Sequence, residues 1–397
     1  MRLSDRARQI LPSPTLTIDA KAKAMKSSGI DVIGFGAGEP DFDTPEHIKE
    51  AAITAIHRGM TKYTPVAGTL ELKEAIRQNL KRELGLDYQP NQIVVAAGAK
   101  FALYNTLQVL LQPGDEAILP APYWVSYPEM IKLAGATPVL VKTREENDFK
   151  LTAAELAAAV NPRTRLLILN SPSNPTGAVY TRSELEALGE VVLKYEDLTI
   201  ISDEIYDKLI YDGIPHASIA ALSPALKERT VVVNGVSKTY AMTGWRIGYS
   251  ACAAVAAEAM ADLQSHSTSN PTSIAQAAAL EALTGSQESV KAMAAEYAQR
   301  RDFAWAYLFN LPGITCAKPN GAFYLFPNVS SCFGKSYQGK TIHSATDLAA
   351  LLLDEFKVAV VPGVAFGDDN YLRLSYALSR QVLEEGLGRI KSLIDQL

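Results

Sequence analysis

The chain is poor in the residues that staple or metallate a fold. Its three cysteines, Cys252, Cys316 and Cys332, are far apart and form no C-x-x-C pair, so they are predicted to be reduced and packed rather than bridged. Its five histidines, His47, His57, His216, His266 and His343, are scattered with no H-E-x-x-H and no Cys/His cluster, which predicts no metal site. Positive charge is not in excess either. The net charge is −5, which offers no basic field for nucleic acid. The apolar run from Ile247 to Ala257 falls short of the roughly 20 residues that a membrane span needs. The opening Met1-Arg2-Leu3-Ser4-Asp5-Arg6 has charges where a secretory signal has an apolar core. The cytoplasm is the expected location.

What is present describes a folded α/β chain. Hydrophobic residues make up 48% and charged residues 20% of 397 positions, enough to bury a large core and to divide into two domains. Apolar strand-like runs, among them Gln92 to Ala96, Glu116 to Leu119, Arg165 to Asn170, Leu198 to Ser202 and Val231 to Val233, alternate with helical patterns. Nearer the start, Ala20 to Met25 reads as helix and the preceding Pro12-Ser13-Pro14 as a segment that cannot be one. Thr44 reads as the cap of a helix with Pro45 in its first turn.

The stretch Ser237-Lys238-Thr239-Tyr240-Ala241-Met242-Thr243-Gly244-Trp245-Arg246 follows one of these runs, at the strand edge where open α/β sheets bind ligands. Ser237 and Arg246 suit a phosphate, and Lys238 suits covalent chemistry if burial or a nearby cation lowers its proton affinity. Alternatively, both cations are solvated surface groups. Two mimics fall away. Gly235-Val236-Ser237-Lys238-Thr239 lacks the final glycine of G-x-S-x-G, and in Gly34-Phe35-Gly36-Ala37-Gly38-Glu39-Pro40 the third glycine is misplaced for a dinucleotide fingerprint. Gly98-Ala99-Lys100, a glycine turn opening a helix, is a ready anion site. Arg373, between apolar neighbours in Tyr371-Leu372-Arg373-Leu374-Ser375-Tyr376, requires an anion, which a structural salt bridge would supply as well as a ligand would.

Taken in order, G-E-P at 38–40, Y-T-P at 63–65, N-P-T-G at 174–177, D-E-x-Y at 203–206, the S-K…R stretch and R-L-S at 373–375 resemble the fold-type I aminotransferases over nearly the whole chain. Trp-Val-Ser-Tyr-Pro-Glu at 124–129 is similar to the bacterial subgroup Iβ of aspartate aminotransferases. The resemblance implies an α/β fold with a large pyridoxal 5′-phosphate (PLP) domain over 46–285, built on a mostly parallel seven-stranded sheet. It also implies a smaller α+β domain from 1–45 and 286–397. Lys238 is then the cofactor lysine, Asp203 the partner of the pyridinium nitrogen, and Tyr206 and Asn174 the partners of the phenolic oxygen. Trp124 stacks on the ring, and Gly98, Ala99, Lys100, Ser237 and Arg246 surround the phosphate. Gly38 and Arg373 meet the substrate α-carboxylate, and Lys100 reaches a distal one. Tyr63 serves a neighbour's cofactor, which implies a homodimer with shared sites. The expected substrates are amino acids and 2-oxo acids, chiefly aspartate and glutamate. Prephenate, used by some relatives, is expected to be weak because Leu11 stands where a lysine is expected. A PLP lyase on the same fold would share every cofactor residue. A regulatory protein with a degenerate domain of this kind would need an appended DNA-binding module, for which no room is expected.

Overall fold

The computed structural model describes residues 1–397, apart from the side chains of Arg6 and Gln9. Its centre is a sheet of seven strands: β1 (Ile93–Ala96), β2 (Glu116–Ala121), β3 (Thr137–Lys142), β4 (Thr164–Asn170), β5 (Thr199–Asp203), β6 (Thr230–Gly235) and β7 (Gly248–Ala251). The order across the sheet is β1-β7-β6-β5-β4-β2-β3. Only β7 runs antiparallel to its neighbours. Every residue of β1, β6 and β7 is buried, the pattern of strands covered by helices on both faces, and this is why the sequence shows apolar runs instead of alternation.

The register sets the site. Asn170 of β4 pairs with Asp203 of β5, and Asp203 with Val233 of β6, so three chains leave the sheet side by side at one edge. The helix Ala99–Leu110 starts at the same edge, with Gly98 as its N-cap at φ 87°. A Cβ on Gly98 would meet the Arg246 guanidinium, the movable end of a long side chain, so it is the positive φ that calls for glycine here. Gly177, at φ 68°, is required on both counts, since a Cβ there would meet the Pro319 ring and the Gly321 carbonyl, neither of which can swing aside.

A second group of elements covers this edge. Three short strands, β8 (Tyr324–Leu325), β9 (Val361–Pro362) and β10 (Leu372–Ser375), pair antiparallel in the order β9-β10-β8. The helices Glu288–Phe309, Ala345–Phe356 and Arg380–Ile394 accompany them, and their core includes Leu348, Leu352, Leu383, Leu387 and Tyr297. The beginning of the chain joins this group. Ile33–Gly34 pairs with Val358–Ala359, and the Phe35 carbonyl accepts from the Ser375 N–H at 2.8 Å.

Two local expectations are corrected. Pro14 does not stand outside a helix; it occupies the first turn of the helix Pro14–Ser27 behind Ser13, a position whose N–H has no intrahelical partner in any case. A further short helix, Asp5–Gln9, is capped by Ser4, whose hydroxyl accepts from the Ala7 N–H. Thr44 does not cap the helix Glu46–His57, which starts after Pro45. Its hydroxyl donates to the Ala241 carbonyl at 2.7 Å and accepts from Trp245 Nε1 at 3.0 Å, so tertiary contacts outbid the cap. No helix among the described residues is long and apolar enough to cross a membrane.

Candidate active site

A cavity of about 470 Å³ opens between the sheet edge and the covering elements, lined among others by Asp203, Lys238, Arg246 and Arg373. Its floor is Asp203, at the end of β5 and 3% exposed. Burial pushes this carboxyl up to about 6, against the pull of two hydrogen bonds and of Lys238. One bond comes from the Tyr127 hydroxyl at 2.6 Å and the other from the Ile205 N–H at 3.3 Å. Asn170, beside it in the sheet, donates Nδ2 to the Asp203 carbonyl and accepts the Asn174 N–H on Oδ1. The extended loop carrying Asn174 is thus tied to the floor.

Lys238 leaves the end of β6 and its ammonium donates to the Gly38 carbonyl. Burial lowers it to about 8; Arg246, Arg373 and Lys100 act in the same direction, and Glu39 opposes them. The amine form is therefore accessible close to neutral pH, the condition a nucleophilic or proton-accepting lysine must meet. Beside it, the N-terminus of the helix Ala99–Leu110 presents free N–H groups near Ser237 and Arg246. Arg246 is a non-glycine residue in the left-handed region at φ 57°, a conformation with a cost that tends to persist where it places a functional side chain. Its guanidinium donates to the Thr243 and Ala97 carbonyls.

Arg373, on β10, is 2% exposed. It donates to Asn174 Oδ1 at 3.1 Å and to the Gly36 carbonyl at 2.7 Å, while its buried Nε has no partner. No carboxylate among the described residues pairs with it, nor with Lys100, Lys238 or Arg246. The salt-bridge alternative for Arg373 is thereby excluded. Five cations line one cavity whose carboxylates are Asp203, Glu39 and Asp19, and Lys23 pairs with Asp19 at 2.8 Å, which leaves four cations without a carboxylate partner. Of the four, Arg373 is buried and Lys238 half-buried, and an unpaired cation out of water is costly, so the cavity is built for anions.

The wall includes Trp124, whose ring packs edge-on to Tyr127 at 5.2 Å, with the Lys100 ammonium 4.8 Å from the ring centroid. Opposite, the Tyr206 and Tyr324 hydroxyls are 2.8 Å apart. Of the residues singled out from sequence, Gly38, Ala99, Lys100, Trp124, Asn174, Asp203, Tyr206, Ser237, Lys238, Arg246 and Arg373 line this cavity, and Gly98 abuts Arg246 at its rim. Tyr63 does not; it is 91% exposed on the surface. Sequence reasoning missed Tyr127, Tyr324, Asn170 and Glu39, the last accepting from the Thr243 hydroxyl at 2.9 Å. The signal for Tyr127 and Tyr324 was only a hydroxyl inside a short aromatic run.

The residues fit PLP on the chain's own terms. The cavity offers a phosphate-sized nest of amides and a guanidinium, a lysine of lowered proton affinity, a buried carboxylate and an aromatic wall. The sequence model of the family described as "Aminotransferase class I and II" matches residues 30–390. An aspartate aminotransferase of Geobacillus stearothermophilus is 53% identical over 395 residues, covering 100% of this chain and 99% of the relative. An aspartate/prephenate aminotransferase of Cereibacter sphaeroides is 50% identical over 391 residues, covering 98% of each. The crystal structure of the aspartate aminotransferase from Rhizobium meliloti superposes with a TM-score of 0.97 at 47% identity, covering 100% of both chains.

Proposed function

The chain belongs to the class I and II aminotransferases, and from that premise we propose that it is an aspartate aminotransferase, exchanging the amino group of L-aspartate with 2-oxoglutarate to give oxaloacetate and L-glutamate. The observation that carries this reading is the set of four unpaired cations around one cavity. It is the number required by a phosphate and the two carboxylates of a dicarboxylic substrate, with one amine left for chemistry.

The cofactor of this family is PLP, which supplies an electron sink for the carbanion formed at the substrate Cα. The Ala99 amide, Ser237 and Arg246 would hold its phosphate, Trp124 its ring face, Asp203 its ring nitrogen, and Tyr206 with Asn174 its phenolic oxygen. Arg373 binds the α-carboxylate through a planar fork that matches it in two bonds, with the Gly38 backbone alongside. Lys100 meets the distal carboxylate; partial desolvation and Arg246 hold its ammonium below the usual lysine range. Lys238 Nζ, deprotonated, takes the Cα proton. Two half-reactions at one site give ping-pong kinetics.

The reading extends to assembly. Ile53, Ile56, Met60, Tyr63 and Leu70 are large apolar residues left exposed along one stretch, the kind of surface that marks an interface. A homodimer covering it would bring Tyr63 of a second copy to the phosphate of the first. The division into a large domain, 46–285, and a small one, 1–45 with 286–397, is part of the same proposal, as is a cytoplasmic location. The test is a panel of amino donors with 2-oxoglutarate, read by product identity. Aspartate is expected to lead and prephenate formation to be weak. Turnover of alanine or an aromatic donor ahead of aspartate, or elimination products without transfer, would reject the assignment. For the dimer, sedimentation at micromolar concentration decides, and a strictly monomeric boundary rejects it.

A further inference from the structure

Tyr324 lies at the junction of the three parts of the site that bind different things. It is fully buried on β8, its residue pair in the sheet is Ser375, and the Arg373 guanidinium stacks 4.6 Å from its ring centroid. Its hydroxyl borders the substrate-facing loop, since a Cβ built on Gly38 would stand 3.1 Å from that oxygen. The same hydroxyl is 2.8 Å from the Tyr206 hydroxyl.

Hydrogen-bond accounting fixes the roles of the two phenols. Each carries one proton, and neither hydroxyl has another partner among the described residues. Arg373, the other polar neighbour of Tyr324, can only donate. If Tyr206 is to give its proton to a group in the cavity, it must accept the one from Tyr324. A cation stacked on the Tyr324 ring makes its O–H a better donor, which favours that direction. We propose that Tyr324 is a positioning residue: it donates to Tyr206, turns the Tyr206 proton into the cavity toward the cofactor's phenolic oxygen, and so links the carboxylate clamp on Arg373 to the cofactor. This rests on the aminotransferase reading above.

Tyr324→Phe keeps the ring beneath Arg373 and removes only the hydroxyl. The readout is the midpoint of the pH titration of the bound cofactor's visible absorbance, measured without substrate. Donation into the phenolic oxygen withdraws charge from it and lowers the proton affinity of the imine nitrogen beside it, so weakening that donation raises the midpoint. Tyr324→Phe is expected to move it up by roughly half a pH unit or more, Tyr206→Phe to move it further, and the double variant to match Tyr206→Phe alone. Charges around the reporter, namely Asp203 and Arg373 near Tyr206 and Glu39, Lys100, Arg246 and Arg373 near Lys238, are the same in all four proteins. In steady state, kcat is expected to fall several-fold with little change in KM, because the clamp is intact. An unchanged midpoint, or shifts that add in the double variant, would overturn the proposal while leaving the aminotransferase reading standing. A protein that takes up PLP without visible absorbance at Lys238 would sink both. A midpoint that moves in Tyr324→Leu but not in Tyr324→Phe, with a lowered unfolding temperature and a raised KM, would assign the shift to packing and overturn the proposal.

Discussion

Arg301 and Arg373 are both arginines with almost no exposure, at 0% and 2%, yet they sit in opposite circumstances. Arg301 grips Asp212 with two 2.8 Å bonds and also pairs with Asp302. Arg373 meets a side-chain amide, a carbonyl and two aromatic faces, and leaves Nε bare. The neighbouring carboxylates Asp203 and Glu204 repeat the contrast. Glu204 accepts from Ser202, Ser218 and His216 within 2.9 Å, whereas Asp203 has one phenol and one backbone N–H and no cation within ion-pairing distance. A group whose needs the fold already meets serves stability. One that the fold buries and leaves short is waiting for a ligand, and holding it that way costs stability.

The arginine pair gives the largest expected effects. Arg301→Ala empties a fully buried site and removes its bonds to Asp212 and Asp302, which are themselves half exposed, and is expected to lower unfolding stability by about 2 to 4 kcal/mol with near-normal kcat/KM in whatever protein folds. Arg373→Ala reverses the pattern. The apoprotein should unfold in denaturant at or above the wild-type midpoint, while kcat/KM for every amino acid falls by about a thousandfold or more, through loss of a buried bidentate contact. Similar stability losses in the two variants would erase the distinction.

Asp203→Asn carries the contrast to a carboxylate. Loss of the charge that faces the ring nitrogen is expected to cost at least about a thousandfold in rate, about 4 kcal/mol. In the apoprotein the sign is opposite. A carboxyl raised from 3.8 to about 6 in the folded chain holds its proton more tightly there than when unfolded, so folding is most favoured below its ordinary value. That advantage is lost as pH climbs to about 6, a loss of about 3 kcal/mol at most. Asparagine never ionises. The variant apoprotein should therefore be more stable than wild type above pH 6, and equal denaturation midpoints at pH 7.5 would show that Asp203 is not strained by burial.

How much of this was legible in sequence divides along the same line. Lys238, Asp203, Asn174 and Arg373 could be located because strands with plain apolar signatures end beside them, and a sheet edge collects strand ends. Tyr127 and Tyr324 could not, because each is defined by a hydroxyl partner 76 or 118 positions away, and no local pattern encodes such a distance. Pro14 was misread because a proline at the first turn of a helix and one outside it look alike until the start is known. Thr44 had the propensity of a cap, but Ala241 and Trp245, about 200 positions on, took its hydroxyl.

Lys100 tests the cation set at its exposed end. Lys100→Ala is expected to lower kcat/KM for aspartate by about 2 kcal/mol, roughly thirtyfold, as a charge-assisted contact is lost, and to change alanine little. Equal losses on both donors would assign Lys100 to the phosphate or to the fold.

The smallest effect expected is the most discriminating, because the Tyr127 hydroxyl acts on the site through Asp203. Its hydroxyl donates to Asp203 Oδ2 at 2.6 Å, and such a bond favours the charged carboxylate, working against the burial that raises its proton affinity. Phenylalanine at 127 keeps the edge-on packing with Trp124 and removes only the donor. Asp203 then holds its proton to higher pH, so a smaller share of the protein carries the charge at neutrality. The expected result is a loss in kcat/KM of about twofold at pH 7 that grows toward about tenfold below pH 6, the limit set by about 1.4 kcal/mol, and vanishes as pH rises and Asp203 ionises. The acidic limb of the kcat/KM profile should move upward by about one pH unit. A loss that stays constant across the profile would mean that Tyr127 places the carboxylate and does not set its charge. No loss at all would mean that the Ile205 N–H and the sheet register are sufficient to hold Asp203 where it is.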